Sequence, residues 1–346
     1  MLPLSERQQK ILFCIIEQFN QSGDPVGSAA VARRPDIGVS SATIRNVMGE
    51  LEEMGLVMQP HTSAGRIPTS TGMRFYVNEL SAMPRAADSL GQDWARHFES
   101  LVEDGIDATA RAAGLLVSRL SRLTSIVSLP GLAETKLREI NLALLSERRV
   151  LVILITEDGR IFKRATRVAD PIDEVTLTRM QNYLSELALG LTLRQLRARV
   201  SEELADAESR YRAFVHRALI LSKDVLEATP ASQLYVEGTL HILEFAELTA
   251  DVHRLREVLY GLENRERVLE MLDRICDAPS PKTLIGSELG WEPGEGLSLI
   301  ACGYYREGSQ VGLLGILGPM RMNYARIIPL VEHAAHMLSR ELDELV

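Results

Sequence analysis

Ala42, Arg45, Asn46 and Gly49 recur at a spacing that, at about 100° per residue, puts them on one stripe of a helix, with Ser41 and Thr43 at its margins. A guanidinium can pair with guanine O6 and N7, and a carboxamide with adenine N6 and N7, when a helix lies in the major groove. The small residues around them let a helix axis come close to such a surface. Glu50, Glu52 and Glu53 are confined to the C-terminal half. A helix that enters a groove by its N-terminal end keeps those carboxylates away from phosphates. A second set of donors follows in His61, Thr62, Ser63 and Arg66, whose side chains suit phosphate or minor-groove contact. Ser28 adds a possible phosphate contact from the N-terminus of an earlier helix, where the dipole favours anions; capping of that helix accounts for it equally well.

These side chains need elements to hold them. Ser40 or Ser41 can cap the helix by accepting from its first free N–H groups. Ile44, Val47, Met48, Leu51 and Met54 form the opposite, apolar face, and Gly55 stands where a left-handed stop belongs. An amphipathic helix with a solvated polar face has the same pattern, so the helix alone does not decide. The segment after it does more. Residues 56–59 and 66–69 read as two short strands around a tip at 61–65, where Gly65 supplies a residue free to take positive φ. Pro60 and Pro68 cannot donate to a ladder and suit a short edge hairpin. Upstream, Ser5 is expected to cap a first helix reaching about Gln21, buried through Ile11, Leu12, Ile15, Ile16 and Phe19 with Cys14 near the edge. Gly23-Asp24-Pro25 makes a turn, and Ser28 opens a short second helix. Three helices followed by a hairpin make a winged helix-turn-helix.

Several blocks carry a family resemblance: Ser-Ala-Thr-Ile-Arg-Asn at 41–46, Leu-Glu-Glu at 51–53, Pro-His-Thr-Ser-Ala-Gly-Arg-Ile-Pro-Thr at 60–69, Arg-Phe-Tyr-Val at 74–77, and Gly-Pro-Met-Arg-Met-Asn-Tyr-Ala-Arg-Ile-Ile-Pro-Leu-Val-Glu at 318–332. Together they resemble the bacterial heat-inducible transcription repressor family HrcA, over nearly the whole chain. The resemblance implies a dimer that binds double-stranded DNA at an inverted-repeat operator controlling chaperone genes of the groE and dnaK type. It also implies that the GroEL chaperonin supports the active form, and that a GAF-like domain with an inserted dimerisation domain follows the DNA-binding domain. Some positions depart from the family pattern: Leu56 and Met73 where aromatic residues are expected, Asn323 where Asp is expected, and the unusual stretch Arg33-Arg34-Pro35-Asp36.

Composition sets bounds on this reading. The net charge is −9, which argues against a chain that coats nucleic acid non-specifically. Residues 1–80 hold seven Lys+Arg and eight Asp+Glu, a net of −1, so binding rests on local placement of charge. Dimerisation would join two weak sites at high effective concentration. With 46% hydrophobic and 25% charged residues the chain can bury real cores. Its longest aliphatic run, 150–155, is far short of the ~18 residues of a membrane span. Cys14, Cys276 and Cys302 are isolated, as suits free buried thiols in a reducing cytoplasm.

The fold class expected is α+β and multidomain: a winged helix-turn-helix over 1–82, a linker over 83–92, a GAF-like antiparallel-sheet domain over 93–170 and 279–346, and a mostly helical inserted dimerisation domain over 171–278. Strands are expected at 138–145, 149–156 and 160–168 as a meander with 150–155 central, then at 233–238, 297–302 and 310–317. The meander and the strands at 297–317 are expected to share one sheet. Helices are expected over 72–80, 94–123, 193–228 and 250–275 and near the C-terminus, with Pro329 in the first turn of the last. Pro130-Gly131 reads as a turn.

No catalytic constellation is visible. His333 and His336 make at most half a metal site, Gly308, Gly312, Gly315 and Gly318 lack a following Gly-Lys-Ser/Thr, and no Gly-x-Ser-x-Gly elbow occurs. No cofactor and no enzyme activity are expected. The rival readings are a metabolite-responsive repressor using the GAF-like domain as a sensor, and an enzyme carrying a DNA-binding domain.

Overall fold

The computed structural model describes residues 4–61, 64–82, 98, 105–129, 135–157, 159–168, 170–188, 190–192, 195, 196, 198–200, 202, 233–275, 280–306 and 308–344. The chain divides into two compact units. Met1–Leu101, Ala112–Val127 and Tyr235–Arg340 form the first, and Val102–Arg111, Ser128–Leu234 and Glu341–Val346 form the second.

The first unit opens with α1 (Glu6–Ser22), α2 (Ser28–Val31), α3 (Ser41–Glu53), a hairpin of β1 (Val57–Met58) and β2 (Ile67–Pro68), and α4 (Ser70–Ala82). A capping box starts α1: Ser5 Oγ accepts from the Gln8 N–H at 3.3 Å while the Gln8 carboxamide accepts from the Ser5 N–H at 2.9 Å. Gly23, at φ 75°, ends it. Ile11, Leu12, Ile15 and Ile16 are buried, and so is Cys14, which lies inside the core and not at its edge. Phe13 meets the ring of Tyr76 edge-on with centroids 4.9 Å apart, packing α4 across α1. Burial, then the charge of Glu17, pushes the Tyr76 phenol up to about 12. Thr69 ties α3 to α4, since its hydroxyl donates to the Gly55 carbonyl at 2.6 Å and accepts from the Gly72 N–H at 3.1 Å.

Downstream come α5 (Ile106–Ser121) and β3 (Thr124–Leu129), then β4 (Leu137–Ser146), β5 (Arg149–Thr156), β6 (Ile161–Arg167) and α6 (Glu174–Ala188). They are followed by β7 (Gln233–Glu237), α7 (Ala246–Thr249), α8 (Val252–Glu263), α9 (Arg265–Asp273), β8 (Lys282–Ile285), β9 (Leu297–Arg306), β10 (Ser309–Pro319) and α10 (Tyr324–Glu344). A five-stranded sheet has the order β7-β3-β10-β9-β8, with β9 antiparallel to both β8 and β10. In the second unit β4, β5 and β6 form an antiparallel meander with β5 central, as expected. Its alternate residues Val150, Val152 and Leu154 pack with Leu177, Met180 and Leu184 of α6.

The architecture is α+β and multidomain with an N-terminal winged helix, but the strands are partnered otherwise than expected. The meander and the strands at 297–317 do not share a sheet. β3 and β8, which lie outside the expected strands, join β7, β9 and β10 instead. Alternating burial reports that one face of a strand is covered, and says nothing about which distant strand lies beside it. β3 is buried at all six positions, so it has no alternation to show. The span 171–278 is likewise divided, with α6 in the second unit and α7, α8 and α9 in the first. The helical pattern over 250–275 is two helices, parted at Asn264, whose side chain caps α9. Linker 83–92, the segment 94–104 apart from Phe98, the turn at Pro130-Gly131, Cys276 and most of the helical stretch over 193–228 lie outside the described residues.

The last helix settles Asn323. Its Oδ1 accepts from the Arg326 N–H at 3.2 Å, so the amide caps α10 as a carboxylate would. Pro329 lies inside α10, beyond the expected first turn. Tyr324 is fully buried, and its hydroxyl donates to the Met320 carbonyl at 2.8 Å and lies 2.7 Å from Ser298 Oγ. Burial pushes that phenol far above its ordinary value, so it serves as a permanent donor. Among the described residues no helix is long and apolar enough to cross a membrane.

Candidate nucleic-acid interface

Ser40 caps α3, its Oγ accepting from the Thr43 N–H at 3.2 Å. That leaves Ser41 exposed at the first helical position. The other end closes as a Schellman motif: the Leu56 N–H reaches the Leu51 carbonyl at 2.9 Å, the Gly55 N–H reaches Glu52 at 2.9 Å, and Gly55 takes φ 70°. Ile44, Val47, Met48 and Leu51 are buried as the spacing requires. Met54 is exposed, because it is the capping residue and helical spacing stops applying there. Leu56 and Met73 are both buried, so aliphatic side chains fill the places where aromatic ones were expected.

Ser41, Ala42, Arg45 and Asn46 are exposed, and Thr43 and Gly49 are half-buried at the edge of the stripe. Among the described residues, no side-chain hydrogen bond or ion pair engages Arg45 or Asn46. Two of the three carboxylates in the helix are engaged. Glu50 accepts from the Gln8 amide at 2.8 Å, and Glu52 holds Arg66. The helix therefore presents unspent donors towards its N-terminal half and partly neutralised acids towards its C-terminal half.

The wing pairs Val57 with Pro68 and Met58 with Ile67, two residue pairs in all. It is held at its base by Val26, whose N–H and C=O exchange hydrogen bonds with Arg66 at 2.9 Å each. Gln59 donates to the Ala64 carbonyl at 2.9 Å across the tip. His61 is exposed at the tip, and Thr62 and Ser63 lie outside the described residues. Gly65 does not use its freedom to take positive φ. Glycine is required there because a Cβ would lie 2.4 Å from the Val26 carbonyl carbon and oxygen.

Arg66 also differs. Its guanidinium is not a free donor at the tip: one terminal nitrogen lies 2.8 Å from Glu52 Oε2 and the side chain is 18% exposed. Ser28 is the first residue of α2, whose N-cap is Gly27, so capping does not explain it. Ser28, Arg45, Gln59 and Arg66 line one cleft of about 370 Å³ between α2, α3 and the wing. Gln59 was not singled out from the sequence, and its strand-end position gave no signal. The motif at 74–77 proves to be a packing and docking element, through Arg74, Phe75, Tyr76 and Val77. Elsewhere, no group of three or more His, Cys, Asp or Glu side chains placed to hold a metal ion occurs among the described residues. Cys14 and Cys302 are buried and form no disulfide, and burial pushes the Cys14 thiol up.

Residues 3–79 match the family model described as the winged helix-turn-helix transcription repressor, HrcA DNA-binding. Residues 107–328 match the HrcA protein C terminal domain. The chain belongs to the HrcA family. It is 38% identical over 343 residues to a heat-inducible transcription repressor HrcA of Geobacter sulfurreducens, covering 99% of each chain. A namesake in Syntrophobacter fumaroxidans is 33% identical over 347 residues, again with 99% of each covered. A solved structure described as a hypothetical protein matches 99% of this chain with a TM-score of 0.69 and 24% identity, which shows a shared fold. HrcA proteins are transcription repressors and not enzymes, so the winged helix is the DNA-binding domain of a heat-inducible regulator.

Proposed function

We propose that this HrcA protein represses chaperone operons of the groE and dnaK type, binding an inverted-repeat operator as a homodimer. Each protomer lays α3 in the major groove of one half-site and its wing on the flanking backbone, since dimer symmetry mirrors operator symmetry. Ser41, Ala42, Thr43, Arg45 and Asn46 line the groove contact, while His61 at the tip, the Thr62 and Ser63 that follow it in sequence, Arg66 at the wing base and Ser28 flank it. The observation that carries the reading is the exposed, unengaged pair Arg45 and Asn46 on a capped helix beside a hairpin. The near-neutral charge of residues 1–80 supports dimerisation, because one domain has little bulk attraction for DNA. The span 171–278 supplies the dimer contact. Action on chromosomal operators makes the protein cytoplasmic, and GroEL sets the amount of active repressor. Footprinting of the purified full chain on the organism's own chaperone promoters tests this. Protection of two symmetric half-sites is expected, and no protection on any of them would overturn it.

A further inference from the structure

We infer that Arg66 is a positioning residue, which fixes the wing against the recognition helix through Glu52 and does not itself grip a phosphate. The inference rests on the reading of α3 and the hairpin as the DNA-binding surface, and refines how that surface is assembled. Three observations meet at residue 66. Its guanidinium lies 2.8 Å from Glu52 Oε2, with the side chain only 18% exposed. Its Nε is buried with no acceptor, so that edge of the group is closed to an incoming phosphate. Its own N–H and C=O pair with Val26 at 2.9 Å, and the preceding Gly65 fits against the Val26–Gly27 backbone. A two-pair hairpin does not hold its own orientation. Residue 66 supplies what is missing, joining the wing by main chain to the segment before α2 and by side chain to α3.

The arrangement also accounts for Glu52. A carboxylate on a helix bound to DNA repels phosphates, so by charge alone its removal should tighten binding. If Glu52 holds the wing through Arg66, its removal instead loosens binding. The two accounts differ in sign. They differ again in salt dependence, because losing a phosphate-contacting Arg lowers the slope of log affinity against log salt by about one, whereas losing a positioning residue leaves it unchanged.

The test uses full-length protein and the duplex that the wild type enriches from a random library, with a scrambled duplex as control. Wild type, Glu52→Gln, Arg66→Ala and the double variant are titrated across a salt series, and melting curves report folding. Glu52→Gln and Arg66→Ala are each expected to weaken binding to the enriched duplex roughly tenfold. The double variant should be no weaker than either, and the salt slope should stay that of the wild type. Tighter or unchanged binding by Glu52→Gln, or a slope reduced by about one in Arg66→Ala, would overturn the inference. Should Arg66→Ala fail to fold, the isosteric Glu52→Gln decides alone by its sign. A wild type that enriches no duplex ends the DNA-binding reading itself, and is thereby distinguished from a wild type that binds while Glu52→Gln makes no difference.

Discussion

Arg74 on α4 forms an ion pair with Glu288, in the turn after β8, and also donates to the Thr283 carbonyl at 2.7 Å. Glu288 meanwhile accepts from the Ile285 N–H at 2.8 Å, so its carboxylate is fixed before Arg74 reaches it. The DNA-binding domain is thereby fastened to the edge strand of the five-stranded sheet. A second tie lies nearby, where Arg321 pairs with Glu247 while its guanidinium borders Gly23 at the end of α1. Arg74→Ala and Glu288→Gln are each expected to cost about 1 kcal/mol of stability, held low by solvent access to the pair. The double variant should cost no more than the larger single, because the two share one interaction. Chemical denaturation of the four proteins checks this, and full additivity would show that the pair is not coupled.

Arg45 and Asn46 spend nothing on the fold. Replacing either by Ala should leave the melting temperature within a degree or so, as for surface positions. Each should cost ~1–3 kcal/mol of operator affinity and relax base preference at one position per half-site. Binding measurements on single-base operator variants read this directly. Unchanged affinity and selectivity in Arg45→Ala would mean that α3 is not the reading helix.

Gly65 and Gly72 are held by close approach. A Cβ on Gly72 would lie 2.0 Å from the Leu56 carbonyl oxygen, and one on Gly65 2.4 Å from the Val26 backbone. Both neighbours are main chain and cannot rotate away. Ala at either site should therefore destabilise by about 1–3 kcal/mol, as overpacking does. Gly49→Ala meets open space in the same helix bundle and is the control. Denaturation midpoints separate the three.

His333 on α10 gives a pH dependence. Burial lowers its pKa from the ordinary 6.5, assisted by the charges of His336 and Arg340. The unfolded chain therefore takes up the proton first as pH falls. The contribution of His333 to stability is fully present above 6.5 and is lost progressively below it, until pH passes the lowered folded value. His333→Gln should flatten the stability curve between about pH 7 and 5. An equally steep curve in that variant would assign the slope to other groups.

Refolding bears on regulation. β3 sits between β7 and β10, so strands at 124–129, 233–237 and 309–319 must find one another across long stretches of chain. Such non-local pairing is slow and leaves apolar strands uncovered meanwhile. Denatured protein diluted into buffer is expected to regain little operator binding, to regain more with chaperonin, and to lose that gain when unfolded competitor is added. Full unaided recovery, indifferent to both additions, would favour a repressor governed by a small metabolite.

Much of the winged helix was legible because its determinants are local. Ser5, Gly23, Ser40 and Gly55 mark helix ends by chemistry that acts within one turn. Ile44, Val47, Met48 and Leu51 declare a buried face by spacing alone. What escaped was long-range. Arg66 looked like a free donor because its partner Glu52 stands fourteen residues earlier, beyond any periodic relation. Arg74 and Glu288 are 214 residues apart. β3 lacked alternation, and the membership of the two sheets followed from packing that no single segment encodes.

The Arg74–Glu288 tie has a consequence for the order in which a ribosome delivers the chain. The DNA-binding domain precedes its docking partners along the chain, and domains synthesised earlier generally fold as they appear. Glu288 and Thr283 follow Arg74 by 214 and 209 residues, and Met320 follows Ser70 by 250. Until those residues have been made, a finished reading head travels on a nascent chain with nothing to dock against. The docked arrangement exists only once β8, β9 and β10 have been made and β10 has paired beside β3, so completion of the five-stranded sheet, and not the making of the reading head, sets when that head acquires its seat.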